Sequence, residues 1–173
     1  PSATDGTELF AYELLNKDLD YAKSILAIER DNATKIRKDI AKYKDILPNI
    51  FYMYDELFEK DLENGYNFNL NDGKLTMDDV KQVISSYIEL HKQGLTKETW
   101  FEEVKKMAEG LGYQVNMKEY KANPDAYKGS IADVTGIIRV AITNRQNTPD
   151  IFVIMDVLGS EKSLSRLEKV LSI

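Results

Sequence analysis

The residues best placed to do chemistry lie between 136 and 152, in the run GIIRVAITNRQNTPDIF. Arg139 stands among Ile137, Ile138, Val140, Ala141 and Ile142, so a helix here carries one guanidinium in an almost wholly apolar stretch. Such a side chain must find a partner or reach the surface along its own stem. A turn at Asn144 is followed by Arg145 and by Thr148 and Pro149, which read as the N-cap and first position of another helix. Free backbone N–H groups would then stand near two arginines, an arrangement suited to an anion or to splayed bases. Pairing of Arg139 with Asp133 or Asp150, with Thr148 only a cap, accounts for the same residues without any ligand.

Other chemistry finds little support. There is no cysteine and a single histidine, His91, which removes thiolate metal sites, disulfides and two-histidine sites and makes a hydrolytic triad a poor fit. His91, close to a helix C-terminus, reads as a surface residue compatible with the helix dipole, and Trp100 as core. The segment NDGKLTMDDV has the look of half a calcium loop, but with Gly73 at the sixth position the first and third fall on Phe68 and Leu70, which offer no oxygen. EKSLSR is similar to the KMSKS signature of class I aminoacyl-tRNA synthetases. It lies in an amphipathic helix with Leu164, Leu167 and Leu171, and no HIGH-like sequence accompanies it. No metal ligand set and no catalytic group is assigned.

The formal charge of −6 over 173 residues argues at first against a polyanionic partner. Its distribution changes that: residues 55 to 104 carry a net −7, and residues 105 to 173 carry +2. Residues 30 to 44 gather Arg30, Lys35, Arg37, Lys38, Lys42 and Lys44, which is either a solvated helix face or a basic patch. No apolar run approaches the roughly 20 residues of a membrane span, so a soluble, cytoplasmic protein is expected. The chain begins at Pro1 and reads as a piece of a longer one.

Helical signals run almost throughout, which predicts an all-α fold. Leu15, Leu19, Ala22 and Leu26 form one stripe, and Pro48 with Ile50, Phe51, Tyr54 and Phe58 forms another. Thr76 with Asp79 caps a helix that Gly94 ends; Thr96, Ser130 and Ser160 open three more, and Gly159 stops the one after Pro149. ENGYNFNLND, rich in Asn and Gly, divides the chain into a first helical subdomain, 1–70, and a second, 71–173.

The run IIRVAITNRQNTPDIFVIMDVLGSEKSLSRLEKVL resembles the C-terminal end of bacterial glutamyl-tRNA synthetases. AIERDNATKIRKDIAKYKDILPNIFYMYDELF and TKETWFEEVKKMAEGLGY resemble the helices that precede it in that family. The resemblance implies an anticodon-binding region of two helical subdomains, monomeric and without a cofactor of its own. ATP and Mg would belong to a catalytic domain outside this chain. The partner would be tRNA(Glu), with tRNA(Gln) left open. It further implies that Arg139, Thr148 and Ile151 meet anticodon bases. Arg145, Lys128, Lys121, Lys118, Arg37 and Lys38 would then meet phosphates. Where the family has glycine this chain has Asn144, the next best residue for a left-handed turn. The alternative is a helical protein-interaction or regulatory domain that binds no tRNA.

Overall fold

Thr76 opens the helix around which the others pack. Its hydroxyl accepts from the Asp79 N–H at 3.2 Å while the Asp79 carboxylate accepts from the Thr76 N–H at 2.9 Å, a reciprocal cap. The helix runs Met77–His91 and buries Val80, Val83, Ile84, Tyr87, Ile88 and Leu90, the i, i+3, i+4 pattern of a face turned to the core.

The computed structural model describes residues 6–28 and 46–173. In chain order it forms α1 (Gly6–Lys17), α2 (Leu19–Ala27), α3 (Ile46–Ile50), a 3-10 turn (Phe51–Met53), α4 (Asp55–Leu62), α5 (Met77–His91) and α6 (Lys97–Gly110). It continues with α7 (Met117–Ala122), a second 3-10 turn (Pro124–Ala126), α8 (Ile131–Thr143), α9 (Ile151–Leu158) and α10 (Ser160–Leu171). Among the described residues there is no strand beyond one isolated bridge between Gln114 and Ser130. The all-α architecture is as expected. None of these helices is long and apolar enough to cross a membrane.

The early helices depart from the sequence pattern. Leu15 and Ala22 are buried as the stripe requires, but Asp18 caps the Tyr21 N–H and splits the expected single helix into α1 and α2. After that break Leu19 points outward, 54% exposed, and Ile25 and Ile28 take the core positions. The stretch from Pro48 to Lys60 likewise forms α3, a 3-10 turn and α4, because Ile50 (φ −131°, ψ −1°) leaves the helical conformation at the end of α3 and Tyr54 (φ −112°, ψ 120°) is extended before α4. The basic residues 30 to 44, including Arg37 and Lys38, lie outside the described residues.

Buried residues on both sides of residue 70, among them Phe58, Leu75, Tyr87, Ile138 and Leu167, belong to one hydrophobic cluster. The Asn-rich stretch between α4 and α5 is fastened to it. Tyr66, Phe68 and Leu70 pack against the core, the Tyr66 and Phe68 rings stack at 5.2 Å, and Asn67 N–H donates to Asn144 Oδ1 at 2.8 Å.

Arg166 of α10 is the main polar tie of this core. Only 4% exposed, it donates to the carbonyls of Tyr52 at 2.6 Å and Ile142 at 2.7 Å and to Asp55 at 2.8 Å, with its guanidinium 4.0 Å from the Phe58 ring centroid. One side chain thereby joins the turn before α4, the end of α8 and α10.

Candidate functional site

The site is built on the C-terminal end of α8 and the loop that follows. Ser130 caps α8 with Asp133, whose carboxylate accepts from the Ser130 N–H at 2.7 Å and from its hydroxyl at 2.9 Å. Asp133 is therefore engaged at the start of α8. Thr143 returns its hydroxyl to the Arg139 carbonyl at 2.7 Å, and the helix ends at Asn144 with φ 52°, ψ 26°. The left-handed turn expected at Asn144 is present, and its side chain explains why Asn serves there. With the residue 1% exposed, its Oδ1 accepts from Asn67 N–H, and its Nδ2 donates to Asp61 at 2.7 Å and to the Gly65 carbonyl at 3.2 Å.

This turn brings Arg139 and Thr148 together. Arg139 Nε donates to Thr148 Oγ1 at 3.0 Å, and that hydroxyl donates onward to the Pro149 carbonyl at 2.8 Å. Half-buried, Arg139 forms no ion pair among the described residues, so the pairing with Asp133 or Asp150 weighed from sequence is not what holds it. Nε fixes the guanidinium plane, and no described residue accepts from its two terminal nitrogens. Arg139 stands between two concavities. One, about 220 Å³, is walled by the amides of Asn69, Gln146 and Asn147 and by Asp133; the other, about 380 Å³, by Lys97, Phe101, Thr135 and Asp150.

Three expectations change. Thr148 is not the cap of α9: the helix begins at Ile151 with Asp150 as its N-cap, whose carboxylate accepts from the N–H groups of Phe152 at 2.9 Å and Val153 at 3.4 Å. The helix end is thus satisfied and faces outward with a carboxylate, which repels an anion. Ile151 is 3% exposed, an apolar floor under the second concavity with little surface of its own to offer a base. Ser160 is the first residue of α10, and Gly159, at φ 88°, occupies the cap.

The basic residues divide. Arg145 donates from both terminal nitrogens to Asp61, at 2.8 and 2.9 Å, with its guanidinium 4.0 Å from the Phe51 centroid. The expected phosphate contact gives way to a structural one, because a bidentate carboxylate already fills the fork. Those bonds, and the one from Asn144, hold the Asp61 carboxyl below the usual carboxylate range despite partial burial. Lys128 is tied to Asp79 at 3.1 Å and Gln82 at 2.8 Å. Lys118 and Lys121 are exposed on α7. His91 ends α5, with Nε2 3.2 Å from Ser160 Oγ.

Nothing local in the sequence marks Asp61, Asn67, Asn69 or Arg166, and the partners of Asp61, Asn67 and Arg166 lie far along the chain. Phe101 does carry a local mark: Trp100, Val104 and Ala108 form the buried stripe of α6, and Phe101 lies one step off it, 43% exposed.

A model of the anticodon binding domain family matches residues 10–171. The chain is 40% identical over 163 residues to a glutamate–tRNA ligase of Clostridium beijerinckii, which covers 94% of this chain and 29% of that protein. A Clostridium perfringens glutamate–tRNA ligase is 36% identical over 162 residues, and one from Sorangium cellulosum 32% over 158, covering 29% and 27% of those proteins. The chain thus spans less than a third of the length of these relatives. No solved structure matches it.

Proposed function

The chain belongs to the anticodon-binding domain family, and from that premise we propose that it grips the anticodon arm of tRNA(Glu) as part of a longer glutamate–tRNA ligase. The observation that carries this reading is Arg139: a guanidinium oriented by Thr148, unpaired with any described carboxylate, and set between two concavities. Anticodon bases are single-stranded and can be splayed apart, then read by guanidinium planes and amides on their edges and by stacking on apolar walls. Arg139 with Asn69, Gln146 and Asn147 supplies edge-reading donors and acceptors, and Thr148 acts through Arg139. Lys118 and Lys121 on exposed α7 supply phosphate contacts, which set affinity and its salt dependence rather than base choice.

The chain's own role is binding and orientation. Activation of glutamate with ATP and Mg falls to other parts of the longer protein, which would work in the cytoplasm as a monomer. Binding of a tRNA(Glu) transcript at two salt concentrations tests the reading. Arg139→Ala is expected to weaken binding roughly 5- to 150-fold and to flatten the preference for the cognate anticodon. No binding at low salt, or an Arg139→Ala variant with its base preference intact, would refute it. Aminoacylation by this chain alone would refute the placement of the chemistry elsewhere.

A further inference from the structure

Phe101 is 43% exposed on α6, directly after the buried Trp100, against whose indole its ring stacks at 6.4 Å and 23°. A lone exposed aromatic needs no explanation. This one lines the concavity whose other walls include Arg139, Lys97 and Asp150, and Lys105 Nζ, paired with Glu102 at 2.7 Å, lies over its ring 4.6 Å from the centroid. An apolar ring in a hollow lined by two cations, Lys97 and Arg139, and one carboxylate, Asp150, suits a ligand with a flat π face whose attached phosphate lies toward Lys97 and away from Asp150. The first face of the ring system is already braced by Trp100, which itself is anchored by its Nε1–H donating to Tyr87 Oη at 2.8 Å. The ring is therefore braced on the Trp100 side before anything binds, and the Lys105 ammonium over it, held by Glu102 at 2.7 Å, is the group that a stacked base on that face displaces.

We infer that Phe101 is a stacking platform for one unpaired nucleobase of the bound loop, with Lys97 on an adjoining phosphate. This rests on the tRNA-binding reading and extends it to residues that Arg139 and Thr148 do not include. The base on Phe101 is separated by the Arg139 side chain from the amide-lined concavity, so it is held by stacking, which every base can provide, while edge reading occurs on the other side of Arg139.

The test uses the whole chain and anticodon-stem hairpin RNAs of tRNA(Glu) sequence carrying 2-aminopurine at successive loop positions. Binding is expected to change the fluorescence sharply at one position, and Phe101→Leu to abolish that change and weaken affinity roughly 5- to 150-fold. Phe101→Tyr and Phe101→Trp keep both. Lys97→Ala lowers the salt slope by about one ion without altering base preference. Because the ring is exposed, circular dichroism should show all four variants folded; Phe101→Tyr against Phe101→Leu isolates aromaticity in any case. If Arg139→Ala weakens binding but Phe101→Leu stays within about twofold of the parent, the stacking platform is refuted and the tRNA reading stands. If the parent binds no hairpin at low salt, both fall.

Discussion

Replacing Asp61 with alanine separates two roles for Arg145 that pull RNA affinity in opposite directions. Asp61 receives both Arg145 terminal nitrogens and Asn144 Nδ2, at 2.7 to 2.9 Å. The Arg145 and Asp61 side chains are 36% and 24% exposed, between the surface pairs that contribute under about 1 kcal/mol and the buried pairs whose breakage costs about 3–5 kcal/mol. Asn144 keeps the Gly65 carbonyl at 3.2 Å as a second acceptor, which limits the loss. About 2 kcal/mol follows, or a fall in Tm of about 4–8 °C for a chain of this size. The same bonds hold the turn that delivers Thr148 to Arg139, so the hairpin should bind about three- to tenfold more weakly in Asp61→Ala. Had Arg145 been a phosphate contact merely restrained by Asp61, removing the carboxylate would free a cation and delete a negative charge. Affinity would rise and the salt slope would steepen by about one ion. Thermal unfolding by circular dichroism and hairpin titration at two salt concentrations distinguish the cases. Tighter binding with a steeper slope would refute the structural role assigned to Arg145.

Arg166→Met removes the guanidinium bonds to the buried Tyr52 and Ile142 carbonyls, so chemical denaturation should show a loss of about 2–4 kcal/mol. Asp55→Asn should lose under about 1 kcal/mol, because Asp55 is half exposed and much of that pair is solvated. Asn144→Ala must hold φ 52° with a Cβ and without its amide bonds, and should lose about 2–4 kcal/mol by the same assay; Asn144→Gly recovers only the conformational part. Acid should destabilise the fold through Asp61, whose carboxyl is lowered chiefly by the Arg145 hydrogen bonds, and through Asp55, where burial is the largest single influence and pushes the carboxyl up but the bonds from Lys162 and Arg166 together bring it below its usual value. A carboxyl lowered in the folded state contributes stability above its unfolded pKa, about 3.9, and loses it as pH falls through the folded value. Unfolding free energy should therefore drop below about pH 4, and less steeply in Asp61→Asn than in the parent.

The parts of the fold that sequence made legible are those whose signals are local. Thr76 with Asp79 and Ser130 with Asp133 lie three residues apart, so each cap can be read from a few letters, and α5 and α8 stand where those letters put them. The left-handed Asn144 was legible for the same reason. Helix breaks in the first third were not. Asp18 and Tyr54 end helices at positions where the apolar spacing continues unbroken, and the tertiary contact that favours the break at Tyr54 comes from elsewhere in the chain: Tyr21 Oη donates to the Met53 carbonyl across 32 residues.

The candidate site was legible by residue type and obscure by partner, as Arg139 and Arg145 show beside the core Arg166. All three follow an apolar or amphipathic run, and nothing within four residues of each decides its fate. Arg166 is 114 residues from the Tyr52 carbonyl it binds, and Arg145 is 84 from Asp61. Arg139 alone finds its partner locally, Thr148, nine residues on, and that partner is a hydroxyl rather than a carboxylate. A carboxylate in that place would have filled the guanidinium fork, as Asp61 fills that of Arg145. A hydroxyl accepts one bond from Nε, sets the plane and leaves both terminal nitrogens, with four N–H groups, for a ligand. The distinction between an arginine that holds the fold and one that can read a base thus depends on which acidic residues lie in reach. In this chain Asp55 and Asp61, both on α4, engage Arg166 and Arg145, and Asp133 closes the cap of its own helix. The excess acid between residues 55 and 104, which first counted against a polyanionic partner, therefore contributes to how the proposed reading surface is assembled.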